Sequence, residues 1–160
     1  MQASLDWKAA VWAGIVAGAV FITLEMLLVG TVGGMSPWAP PRMIAAIALG
    51  RDVLPPPATF DTGIFAAAMA VHFALSLLFA VILGLAISRG RLGTGAATIA
   101  GLLFGLLVYI VNFYGFTAAF PWFAMARNWI SILSHAVFGL VLGWTYHRLA
   151  QRRAVPAELA

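Results

Sequence analysis

The chain has 160 residues, of which 63% are apolar and only 9% charged, with a net charge of +4 and no cysteine. A soluble domain of this size removes only roughly 60–70% of its surface from water and carries about 25% charged residues, so this much apolar surface requires lipid as its solvent. The lack of cysteine excludes disulfides, thiolate nucleophiles and Cys-based metal or iron–sulfur sites, and basic residues gathered at helix ends set topology and leave no nucleic-acid footprint.

An apolar helix needs about 20 residues to cross the hydrocarbon core. The first such stretch is Ala9 to Gly30. Its apolar run is long and its basic flank is Lys8 alone, which reads as a retained span and not as a cleaved signal. Pro40-Pro41, followed by Arg42 to Leu49 and Gly50, predicts a short helix with proline at its start and glycine at its stop. Trp38 beside it places that helix in the membrane interface. Pro55-Pro56-Pro57 predicts an extended segment leading to the second span, Gly63 to Ser88. After a short basic loop comes the third span, Gly95 to Thr117. The aromatic-rich segment Phe120 to Trp129 predicts a second interfacial connection, in which Trp122 and Trp129 act with Trp7 and Trp38 as anchors. The fourth span, Trp129 to His147, leads into a solvated tail, Arg148 to Ala160.

The expected fold is all-α, a four-transmembrane-helix bundle forming one integral membrane domain, with short interfacial helices in the outer loops. Lys8, Arg89, Arg91, Arg148, Arg152 and Arg153 share the side of the termini, and Arg42, Arg51 and Arg127 the other. Six basic residues against three predict both termini in the cytoplasm.

The two halves resemble each other, repeat one over about 7–91 and repeat two over about 94–150. Gly14, Gly18 and Glu25 match Gly101, Gly105 and Asn112 at one offset, and each set is followed by Pro-Trp and an arginine, Arg42 or Arg127. Farther on, Ile82-Leu83-Gly84 and Arg89 match Val141-Leu142-Gly143 and Arg148. On that register His72 corresponds to Ser131 and Ser76 to His135. Two spans per unit make these parallel repeats, of the kind that place a pseudo-symmetric interface at a site. Small residues four apart (Gly14/Gly18, Gly101/Gly105, Gly139/Gly143) let helix backbones approach closely, which packing alone explains.

Glu25 is the one acidic residue within a span, where ionisable groups are costly and face the bundle interior. At 1.5 Å rise per residue, Glu25 lies roughly 25 Å above Lys8, His72 roughly 25 Å above Arg89 and His135 roughly 20 Å above Arg148. Asn112 falls in a similar layer, so four polar side chains from four helices converge in the outer half of the membrane, with Arg42 and Arg127 in the loops above. Three readings follow. A substrate or proton site would pair a carboxyl with imidazoles able to exchange a proton, and the arginines would draw in an anionic ligand. A haem or divalent metal site would use His72 and His135, with Glu25 as a third ligand, although no His-x-x-x-His or Glu-x-x-His spacing supports it. A structural network would pair Glu25 with Arg42 or Arg127 and hydrogen-bond the His and Ser groups across helices.

Glu25-Met26, Ser36-Pro37-Trp38, Arg42 to Ala46, Leu54 to Asp61, Val111 to Phe116 and Ala126 to Ser131 together resemble a group of short bacterial membrane proteins, some of which carry the label sodium:proline symporter. The resemblance covers most of the chain and implies a bacterial inner membrane and a link to transport. No Walker loop, dinucleotide fingerprint or Ser-His-Asp spacing is present, and no enzyme signature emerges. The sequence favours a small inner-membrane protein that acts by binding, as an accessory or structural subunit of a larger membrane assembly. The first alternative is a small oligomeric carrier or channel with a proton- or anion-linked site at Glu25, His72 and His135. The second is a haem- or metal-binding protein through His72 and His135. No cofactor is predicted, and the expected partners are the lipid bilayer and further copies or subunits.

Overall fold

The computed structural model describes residues 4–154. Helix α1 spans Trp7–Thr31, α2 Ala39–Leu49, α3 Thr62–Gly90, α4 Thr94–Ile110 and α5 Trp129–Ala154, with no strand among the described residues. Four helical stretches are long and apolar enough to cross a membrane, Trp7–Thr31, Thr62–Gly90, Thr94–Ala118 and Trp129–Arg153. The chain is thus an all-α, four-helix polytopic membrane protein.

The helix ends follow local chemistry. The Asp6 carboxylate accepts from Ala9 N at 2.9 Å, that of Asp61 from Ile64 N at 2.8 Å, and the Asn128 amide oxygen from Ser131 N at 3.1 Å. Each satisfies a backbone donor that a helix start leaves open. Helix α2 begins on prolines, which have no N–H to lose, and stops at Gly50 with φ 86°, a conformation that side chains disfavour. Two stretches depart from the sequence reading. Helix α4 is shorter than the expected span: the chain turns through a wider π-type coil over Val111–Gly115 and a 3-10 turn over Phe116–Ala118. Helix α5 is longer, carrying Arg148, Arg152 and Arg153 in regular helix to Ala154. The rest of the expected tail, 155–160, lies outside the described residues.

The helices pack in the order α3, α1, α5, α4. Helices α1 and α5 meet through Ala9, Ala10, Ala13 and Ala17, all fully buried in the core with Phe138, Leu142 and Tyr146. Helices α4 and α5 touch backbone to backbone. A Cβ added to Gly101 would meet the Gly139 carbonyl oxygen, one on Gly105 that of His135, and one on Gly143 that of Ala97. Gly18 of α1 is similarly close to α3, with a Cβ there 2.8 Å from Ser76 Oγ. Helices α3 and α4 close the row only sparingly, near Phe79 and Phe104, whose rings lie 6.0 Å apart. Away from the bundle, α4 exposes Ile99, Leu103, Leu107 and Ile110 on one stripe, as a lipid-facing helix does.

The start of α1 and the last turns of α5 meet at one end of the bundle. Asp6 N donates to the Tyr146 hydroxyl at 3.2 Å, the hydroxyls of Ser88 and Tyr146 lie 2.6 Å apart, and Arg153 Nε stands 4.0 Å from the Asp6 carboxylate. His147 belongs to this end too, 3.2 Å from the Thr94 hydroxyl. The opposite end is looser.

Candidate functional site

A cavity of about 470 Å³ occupies the end of the bundle away from the termini. Its existence follows from the helix order: α3 and α4 stand at the two ends of the row and diverge above Phe79 and Phe104. Phe21, Phe79 and Phe138 line the cavity and form its floor, with Phe138 centroid-to-centroid 6.0 Å from Phe21 and 6.5 Å from Phe79. Helix α2 roofs it with Met43, Ile44 and Ile47, together with Phe120 and Phe123 of the second outer loop. Leu75 and Leu78 line it while being 37% and 52% exposed, so the cavity opens sideways, between α3 and α4, where lipid tails would lie.

The roof is tied together by polar contacts. Trp122, expected as an interfacial anchor, is buried instead: its indole N–H donates to the Met43 carbonyl at 3.0 Å, joining the two outer segments. Trp38 packs on Phe60 and Phe65, and the Ser36 hydroxyl donates to the Ala58 carbonyl.

Five of the six polar residues singled out in the sequence line this cavity. Glu25, His72, Asn112, His135 and Arg42 all line the cavity, with Ser76 and Asn128 beside them. Glu25 is only 6% exposed; its Oε1 accepts from the Ser131 hydroxyl at 2.8 Å, while its Oε2 is buried without a partner. His72 Nε2 is 2.9 Å from the Gly18 carbonyl and His135 Nδ1 is 2.7 Å from the Ser131 carbonyl. A carbonyl only accepts, so each ring donates through that nitrogen. In a neutral imidazole the other nitrogen, Nδ1 of His72 or Nε2 of His135, then carries a lone pair.

The arginines direct their hydrogen bonds elsewhere. Arg42 donates from Nε to the Thr59 carbonyl at 3.0 Å and from Nη1 to the Val53 carbonyl at 2.7 Å, holding the proline-rich loop against α2. Arg127 donates from Nε to the Phe113 carbonyl at 2.7 Å and from Nη2 to the Thr117 hydroxyl at 3.1 Å, and its guanidinium lies 4.4 Å from the Tyr114 ring centroid. It thereby satisfies a carbonyl freed where α4 departs from regular helix. No ion pair links Glu25 to either arginine among the described residues.

Phe21 is the residue that the depth argument missed. Its ring stacks on His72 (centroids 5.4 Å, planes 25° apart) and meets His135 edge to face at 4.8 Å. A signal was present, since Phe21 lies one helical turn before Glu25 on the same face. Ser131 and Asn128 carry a capping signal, a short polar residue three positions before another at a helix start.

A metal ion or haem iron shared by the two imidazoles does not fit this arrangement. Phe21 lies against both rings, His72 turns its Nε2 to backbone, and no three His, Cys, Asp or Glu side chains group together among the described residues. Compared with protein-family models, curated proteins and solved structures, the chain matches none.

Proposed function

We propose that this protein is a membrane-embedded binding protein that takes a lipid-like amphiphile from the bilayer into the cavity between α3 and α4. The observation that carries this reading is an apolar, laterally open space of about 470 Å³ with one cluster of buried polar side chains in its wall. Ligand pockets run to roughly 300–1,000 Å³, mostly apolar, with a few polar groups that fix orientation. A purely structural network would close on itself, whereas Glu25 keeps a buried oxygen without a partner. An accessory subunit needs no such cavity, although the same binding role is open to a homo-oligomer or to one component of a larger complex.

Six basic residues at the terminus end against three at the cavity end support a topology with both termini in the cytoplasm. The cavity then faces the outer leaflet of what the resemblance implies is a bacterial inner membrane.

The test is purification in mild detergent followed by native mass spectrometry. An amphiphile that co-purifies, and that is lost in Leu75→Trp, where the larger ring fills the mouth, supports the reading. A protein that carries none and takes up none when lipid extract is added refutes it. Transport, which the resemblance implies, is tested in reconstituted vesicles: uptake abolished by Glu25→Gln makes the protein a carrier, and unchanged uptake removes Glu25 from the mechanism.

A further inference from the structure

The carboxyl and imidazole side chains in the cavity wall leave acceptors unmet. Glu25 Oε1 already holds the Ser131 hydroxyl, and Oε2 is buried with no donor against it. Each imidazole donates to a backbone carbonyl and, when neutral, keeps a lone pair on its remaining nitrogen. An ionised carboxylate and two such nitrogens accept and do not donate. The cations nearest the cavity are committed to holding its roof: Arg42 to the carbonyls of Val53 and Thr59, Arg127 to the Phe113 carbonyl, the Thr117 hydroxyl and the Tyr114 ring. The wall is also aromatic, with Phe21, Phe113, Phe120 and Phe123 in it, and ring faces attract cations.

Resting on the reading that the cavity binds an amphiphile, we propose that its ligand is an amphiphilic primary amine, whose ammonium group donates to the Glu25 carboxylate while its chain lies in the slot between α3 and α4. An ammonium group brings three donors and no acceptor, which complements this wall. A hydroxyl brings one donor, and a carboxylate brings none and would face Glu25 as a like charge. The anion-linked version of the site, which the two arginines suggested in the sequence, lacks an arginine turned to the polar cluster.

The experiment uses the full chain in phosphatidylcholine vesicles and a photoreactive dodecylamine. Crosslinked peptides are mapped by mass spectrometry, and labelling is competed with dodecylamine, dodecanol and dodecanoate at matched membrane-bound concentrations. The expected result is labelling on α3 and α4 around Leu75 and Val108, with dodecylamine displacing it roughly tenfold more effectively than either of the others, as befits a charge-assisted hydrogen bond. Glu25→Gln, which keeps an oxygen for the Ser131 hydroxyl, should remove most of that preference. If all three compete equally, or dodecanoate competes best, the amine assignment is overturned while the cavity remains a binding site. If labelling is dispersed over the lipid-facing surface and insensitive to every competitor, the binding reading falls as well. The comparison among the three competitors is made on the unaltered protein, so it holds even if Glu25→Gln fails to fold.

Discussion

Replacing Gly139 by alanine tests whether the bundle is held by its glycine seam. A Cβ on Gly139 would meet the Gly101 carbonyl oxygen and stand 2.8 Å from both the Gly101 carbonyl carbon and the Gly105 nitrogen, where ordinary contact begins at 3.4 Å. All three atoms are backbone, so no side chain can turn aside and α4 itself must move. A separation of about 0.5–1 Å forfeits a quarter to a half of the dispersion energy of every contact along the interface. Overpacking of this type costs about 1–3 kcal/mol, and alanine returns about 1 kcal/mol through its better helix propensity. Gly139→Ala should therefore lose up to about 2 kcal/mol. Gly95→Ala is the internal control, because nothing lies within 4 Å of a Cβ there, and it should be neutral or slightly stabilising. Both are read by titrating the protein in mixed micelles with sodium dodecyl sulfate while following helix content. If Gly139→Ala matches Gly95→Ala, α4 and α5 do not make the backbone contact described, and the account of the closed end is wrong.

Three further outcomes follow from the polar contacts. Ser131→Ala removes the only donor that Glu25 has among the described residues and should destabilise the bundle by about 1–3 kcal/mol in the same titration, with Glu25→Gln in that background recovering part of the loss. Trp122→Phe deletes the indole N–H that bonds Met43, so α2 should loosen: a cysteine placed at Ile47, the sole thiol in this cysteine-free chain, should react faster with maleimide, and unchanged reactivity would detach the roof from Trp122. The purified protein should show no Soret band, since Phe21 lies against both imidazoles; a band that His72→Ala or His135→Ala bleaches would overturn that packing.

Depth was legible in the sequence, and direction around the helix axis was less so. Counting residues from the basic anchors placed Glu25, His72, Asn112 and His135 in one layer, because helix rise is constant and span ends are marked by arginine and glycine. The same count could not say that α1 neighbours both α3 and α5, and hence that Glu25 finds Ser131 and that Phe21 falls against both histidines. Nor did it foresee the destinations of Arg42 and Arg127. Both bond backbone carbonyls that become available only because the proline-rich loop turns back on α2 and because α4 leaves regular geometry at Val111. Asn112 and Gly115 were visible inside an apolar run, and both are weak helix formers. The outer helix α2 was legible to its last residue, since Pro40, Pro41 and Gly50 act through local backbone geometry alone.

Two buried side-chain oxygens lack partners among the described residues, Glu25 Oε2 and Ser134 Oγ, and they do not carry the same meaning. A serine hydroxyl in a helix can rotate to the carbonyl four residues earlier, here that of Ile130, so Ser134 has a local remedy that needs no change in packing. A carboxylate oxygen accepts and so gains nothing from a neighbouring carbonyl. Such an orphan costs about 1–3 kcal/mol, more for a charged group, in a site shielded from water. Ser134 does not line the cavity, and Glu25 does. A donor brought by a ligand would therefore reach Glu25 from the slot that opens to the lipid.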